Sequence, residues 1–134
     1  MKKFITVLLA VLMMSCFVAC GDGQSDSNLI DLTSMSDTMI QTQMSNMSAF
    51  PDTFGGKTVK MQGFIAINTT GDVVYCVYSD PTGCCTRVMV LDWPEGSDIP
   101  DASKTVTVEG TYDGAFEGVQ KDYVCGRLVN ITVS

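Results

Sequence analysis

Histidine is missing from all 134 residues of the chain. That excludes Ser-His and Cys-His catalysis and any histidine-ligated metal. Positive charge is scarce: 8 Lys and Arg stand against 15 Asp and Glu, for a net charge of −7. Nucleic-acid binding draws most of its strength from neutralised phosphates, so no nucleic-acid partner is expected. The C-x-x-C spacing is absent, and with it a thioredoxin-like centre and the paired knuckles of a recognisable zinc site. No EF-hand spacing surrounds the acidic pairs Asp98/Asp101 and Asp113/Glu117, which read as solvated surface. Nor is there an apolar run of about 20 residues, the length a membrane-spanning helix needs.

What is present begins with "MKKFITVLLAVLMMSCFVAC". Lys2 and Lys3 precede an apolar run from Phe4 to Met14, and small residues follow at Ala19 and Cys20, the pattern of an export signal. The stretch "FVAC" resembles a bacterial lipobox, with Ala19 before the cut and Cys20 as the lipidated residue, although Phe17 replaces the usual Leu. Cys16, after Ser15, is a second cleavage point. The expected organisation is a signal peptide over 1–19, a lipidated cysteine and flexible tether over 20–28, and one domain over 29–134. Removal of Lys2 and Lys3 leaves 6 basic and 15 acidic residues, a net charge of −9. The expected location is the bacterial cell envelope, anchored by lipid on the outer side of the cytoplasmic membrane, or in the outer membrane of a Gram-negative cell.

Within the domain, Ser36 or Asp37 caps a short amphipathic helix over about 37–48, with Met39, Ile40, Met44 and Met47 on its apolar face. Such methionines fill core gaps more readily than they bind soft metals. Pro51 and the Gly55-Gly56 pair end it. Beyond Lys57 the sequence alternates as strands do. "KTVKMQGFIAIN" sets Val59, Met61, Ile65 and Ile67 on one face, with Gly63 placed to bend the strand. "GDVVYCVYS" and "CCTRVMVLDW" flank the turn "DPTG", and "KTVTVEGTYDG" and "DYVCGRLVNITV" supply the last two strands. The expected fold is mainly β: a five-stranded OB-like small barrel preceded by one short N-terminal α-helix. OB barrels usually carry a helix between their third and fourth strands. Here "DWPEGSDIPDASK" is too rich in Pro, Gly, Asp and Ser for one, so the helix at 37–48 is expected to cover the barrel's open end instead.

The run "MSNMSAFPDTFGGKTVKMQG", the Tyr-Cys strand, the turn into "CC" and the "VTVEGTY" strand together resemble a group of uncharacterised bacterial OB-fold-like lipoproteins, frequent in anaerobic Gram-positive genomes. The likeness spans 30–134. A similar paired-cysteine segment occurs in the soluble domain of some permease-associated bacterial membrane proteins. The resemblance implies fold and location, and it brings no activity with it.

If "DPTG" is the whole turn, Ser79 faces Cys84, Tyr78 faces Cys85, and Cys76 lies opposite Arg87. Third and fifth strands of an OB barrel run parallel from the same end, which predicts that Cys76, Cys84, Cys85 and Cys125 converge on one rim. Four outcomes are open. One or two disulfides would suit an exported domain, a bridge from Cys125 to Cys84 or Cys85 closing a loop of about 40 residues and contributing roughly 2–4 kcal/mol. A four-thiolate zinc site would need a bulge at Cys84-Cys85 to aim both thiols inward. A thiol redox centre would depend on Arg87 and Arg127 to lower a thiol pKa. Buried free thiols would pack as small hydrophobes.

Tyr75, Tyr78, Arg87 and Arg127 are the expected ligand-binding residues, since two strands of an OB barrel often form its groove. Tyr112, Tyr123 and Trp93 read as packing aromatics. The functional expectation is a non-enzymatic extracytoplasmic binding module for a small ligand, a glycan, a peptide or a membrane permease. The alternative is a thiol redox or metal-handling protein acting through Cys84 and Cys85.

Overall fold

The computed structural model describes residues 27–120 and 123–134. The expected signal peptide and the lipid-bearing Cys20 lie outside the described residues. Strand β1 (Leu29–Asp31) leads through a single 3-10 turn (Leu32–Ser34) into helix α1 (Asp37–Ala49) and a short helix α2 (Pro51–Phe54). Strands β2 (Thr58–Ile67), β3 (Val74–Ser79), β4 (Thr86–Leu91), β5 (Thr105–Gln120) and β6 (Tyr123–Val133) complete the fold. Among the described residues no helix is long and apolar enough to cross a membrane.

The structure is mainly β, a closed five-stranded barrel with a short helix. Strand order is β2-β3-β4-β6-β5, and β5 pairs back onto β2 to close the ring. β4 and β6 run parallel, whereas the other neighbouring barrel strands are antiparallel. β2 serves both halves of the ring: Thr58 to Phe64 pair with β5, and Phe64 to Ile67 pair with β3. Gly63 makes that change of partner possible. A Cβ there would stand 2.3 Å from the Val77 carbonyl oxygen and 2.9 Å from Cys76 Sγ, so only glycine lets β3 cross so closely.

Alternation sets the core. Val59, Met61 and Ile65 point inward and are buried, meeting Cys76, Met89, Val108, Tyr112 and Leu128 from the other strands. Ile67, expected on the same face, is 44% exposed because it ends its strand at the barrel mouth. On α1, Ile40, Met44 and Met47 form an i, i+4, i+7 stripe that joins this cluster. Met39 lies one residue off the stripe, about 100° around the helix, and is 56% exposed rather than part of the apolar face. The 92–104 connection contains no helix. The apolar stripe of α1 packs onto the barrel core instead.

Helix α1 ends in a defined way. Its last carbonyls have no intrahelical partner. Asn46 O accepts from Phe50 N at 2.8 Å, and Met47 O accepts from the buried Tyr112 hydroxyl at 2.6 Å. Tyr112 is itself on β5, 65 residues away, so one side chain ties the helix end to the barrel wall. Pro51 then opens α2, where a missing N–H costs nothing.

Two features go beyond the sequence reading. β1 pairs in parallel with Thr58, Val59 and Lys60, on the edge of β2 opposite β5, and delivers Leu32 into the core at 1% exposure. β5 does not stop at Gly114 but runs on to Gln120, absorbing register shifts at Glu109/Thr111, Tyr112/Gly114 and Glu117/Gln120. Gly114 adopts φ +115°, a backbone that a side chain would strain.

Candidate functional site

The turn "DPTG" forms as read, with Gly83 N donating to Asp80 O at 2.9 Å, but the ladder does not resume directly after it. Ser79 pairs with Thr86, Tyr78 with Arg87, and Cys76 with Met89, so Cys84 and Cys85 belong to a six-residue loop and not to the strand. Asp80 is the cause. Its Oδ1 accepts from Cys85 N at 3.1 Å, its Oδ2 accepts from Thr82 Oγ1 at 2.6 Å, and its own N–H donates to Cys85 O at 3.2 Å. A side chain that caps its own loop in this way stabilises two extra residues before pairing restarts.

This register separates the four cysteines. Cys76 and Cys125 are buried, Cys84 and Cys85 exposed, and all four are free thiols. Along parallel strands β4 and β6, Met89 lies beside Gly126. Cys85 therefore sits three residues short of the level of Cys125, about 10 Å away at 3.3 Å per residue. A disulfide needs Cα atoms within about 7 Å, so neither loop cysteine reaches Cys125 without backbone movement. Cys76 points into the core, whereas Cys125 lies outside the core cluster with its Sγ 3.8 Å from Phe116 O. The predicted convergence on one rim is thus not the observed arrangement. Among the described residues no three Cys, Asp or Glu side chains are grouped to hold a metal ion.

Burial pushes the Cys76 thiol up to about 12 and the Cys125 thiol up to about 11, so both stay neutral. The Cys85 thiol is also raised, first by its interaction with the neighbouring Cys84 thiol and then by charge on that neighbour; Arg87 pulls the other way and is outweighed. The expected lowering of a thiol by Arg87 does not prevail.

The four expected ligand-binding residues divide between two surfaces. Tyr78 and Arg87 are cross-strand partners facing α1. The Tyr78 hydroxyl donates to Asp37, and Arg87 Nε donates to Gln41 Oε1 at 2.9 Å. Gln41 Nε2 in turn donates to Cys85 O at 3.1 Å, linking helix, strand and loop. Tyr75 and Arg127 stand on the other side of the sheet, both opposite Val90 on β4. Arg127 is committed to an ion pair with Asp113, its Nε 3.1 Å from Oδ2.

Arg87 also borders a groove of about 360 Å³ between α1 and the β4–β6 pair. Met44, Ser45, Ser48, Val88 and Val124 are among its other lining residues, so that apolar walls and two serines accompany the Arg87 guanidinium. That size lies at the lower end of small-molecule sites, and a few placed polar groups in an apolar cleft are their usual chemistry. The serines and Gln41 carried no signal in the sequence, since polar residues on a helix read as solvated surface. Asp80 did carry one, as the first residue of a Pro-Gly turn.

No protein-family model, curated protein or solved structure matches the chain. The likeness to OB-fold-like lipoproteins rests on the residues quoted for it.

Proposed function

We propose that the chain is a non-enzymatic, OB-like binding module held outside the cytoplasmic membrane by a lipid on Cys20. The observation that carries the binding reading is the groove between α1 and β4–β6. Its Arg87 guanidinium is oriented by Gln41, and Ser45 and Ser48 of α1 line the same groove, the Ser48 hydroxyl donating to Met44 O at 3.1 Å and keeping its acceptor lone pairs. The OB-like assignment is supported by the closed strand order β2-β3-β4-β6-β5 with its parallel β4–β6 pair. A ligand for this groove is a small molecule, or the end of a glycan or peptide, offering an acceptor to Arg87 and an apolar portion to Met44 and Val88. A permease in the same membrane is the partner that such a tethered module would serve.

Two experiments test the parts separately. Cys20→Ala should release the protein from the membrane fraction of its cell, and continued membrane association refutes the anchor. For the groove, thermal melts of the chain are run against a panel of short peptides and oligosaccharides with free carboxylates. A rise in Tm that is abolished by Arg87→Ala and by the groove-filling Ser45→Trp supports the module. A rise that survives both substitutions places binding elsewhere.

A further inference from the structure

The β3–β4 loop holds a chemistry separate from the groove. Cys84 and Cys85 are exposed and adjacent in the chain, and their thiols are close enough to influence one another. The backbone around them is fixed on every side. Asp80 takes the Cys85 N–H, Cys85 O accepts from both Asp80 N and Gln41 Nε2, and Cys84 N donates to Thr82 Oγ1 at 3.4 Å. Such preorganisation removes much of the ordering cost from any ligand the two sulfurs share.

Geometry selects the ligand. Adjacent residues joined by a trans peptide have Cα atoms about 3.8 Å apart, below the 4.4 to 6.8 Å range of relaxed disulfides, so a direct S–S bond would be strained and easily reduced. Tetrahedral zinc needs further protein ligands, and no third Cys, Asp or Glu joins the pair among the described residues. A linear two-coordinate soft ion needs its sulfurs on opposite sides, two bond lengths apart, and these thiols stand side by side. A pyramidal centre with bond angles near a right angle takes both sulfurs from one side and leaves its third substituent pointing into solvent, where this loop tip is open.

We infer that Cys84 and Cys85 form a chelating site for trivalent arsenic bearing one organic substituent and two exchangeable oxygen ligands. Each sulfur displaces one hydroxyl from arsenic. Two As–O bonds break, two As–S bonds form, and the two thiol protons leave with the hydroxyls as water. Arsenic remains trivalent, so no oxidant or reductant is required. The site does not depend on the binding-module reading, and either can fail without the other.

The test uses the full chain carrying Cys16→Ser and Cys20→Ser, so that four thiols remain, with phenylarsine oxide as the probe. Intact mass should show one phenylarsenic per chain, and alkylation mapping should show Cys84 and Cys85 protected together. The adduct should be released by 2,3-dimercaptopropanol and resist the same concentration of a monothiol. Cys84→Ser or Cys85→Ser should each weaken binding by about 100-fold or more, because the second As–S bond is then no longer intramolecular. Both substitutions lie on an exposed loop and leave the core intact. Absence of an adduct, protection of Cys76 or Cys125 instead, equal release by the monothiol, or undiminished binding in either serine variant would overturn the inference.

Discussion

Replacing Tyr112 with Phe deletes one oxygen and keeps the ring. In the native structure that oxygen donates to Met47 O at 2.6 Å, in a buried setting at the end of α1. Without it the Met47 carbonyl is left buried at a helix terminus, where no intrahelical N–H is available. An unsatisfied buried polar group costs about 1–3 kcal/mol, and the better-solvated phenol of the unfolded chain offsets little of it. For a domain of roughly 100 residues each kcal/mol moves Tm by about 4 °C, so the expected fall is about 4–12 °C. In urea the midpoint should drop by roughly 1 M with m unchanged, for a loss near 2 kcal/mol and m of about 2 kcal/mol per M. Tyr78→Phe is the internal comparison. It also removes a phenol hydroxyl, but one whose acceptor is the Asp37 carboxylate in an exposed setting where water can replace it, and its effect should stay within about 0.5 kcal/mol. If the two variants unfold at the same midpoint, the Tyr112 hydroxyl does not anchor the helix end and the reasoning is wrong.

Other outcomes are equally specific. Gly63→Ala places a Cβ 2.3 Å from the Val77 backbone oxygen, which cannot rotate away, so the variant should fail to give a cooperative melt by circular dichroism; a wild-type melt would refute the close crossing. Iodoacetamide should label Cys84 and Cys85 in the folded protein, and Cys76 and Cys125 only in denaturant, as read by peptide mass mapping. Stability should decline in alkali. The folded chain keeps the Cys76 proton to about 12, whereas an unperturbed thiol releases it near 9.0. The unfolded state therefore binds fewer protons between those values, and stability, whole below pH 9.0, falls as pH rises toward about 12. Cys76→Ala should make urea midpoints measured from pH 9 upward decline less steeply, and an unchanged slope would refute the assignment.

Much of the barrel was legible because its physics is local. Alternating Val59, Met61 and Ile65 declare one inward face, and Gly63 marks the bend within it. Ile40, Met44 and Met47 announce a stripe by spacing alone. The β3–β4 loop was less legible because its length is set by a side chain. Asp80 captures the Cys85 N–H, and that extra bond moves the ladder by two residues and turns Cys84 and Cys85 outward. A register error of this kind preserves which strand residues point inward while relocating every partner, which is why the fold reading survived it and the cysteine reading did not. β1 was illegible for another reason: three residues of parallel pairing depend on β2 being already in place, and Leu29–Asp31 has no period of its own. The groove likewise exists only where α1 docks across β4 and β6, so residues such as Ser45 and Ser48 acquire meaning from a distant strand.

The parallel ladder between β1 and β2 also determines how the domain bears load. Asn28 O accepts from Thr58 N at 2.8 Å, just ahead of the Leu29–Asp31 rungs, and Leu32 follows immediately as a core plug at 1% exposure. A pull on the chain before Asn28, directed along β1, acts in shear: the hydrogen bonds to β2 are strained together, and Leu32 must leave the core before α1 feels the force. A pull directed across β1 peels the same bonds one at a time. The short first strand is thus a mechanical clamp whose strength depends on direction, and it isolates the barrel from motion of whatever precedes it.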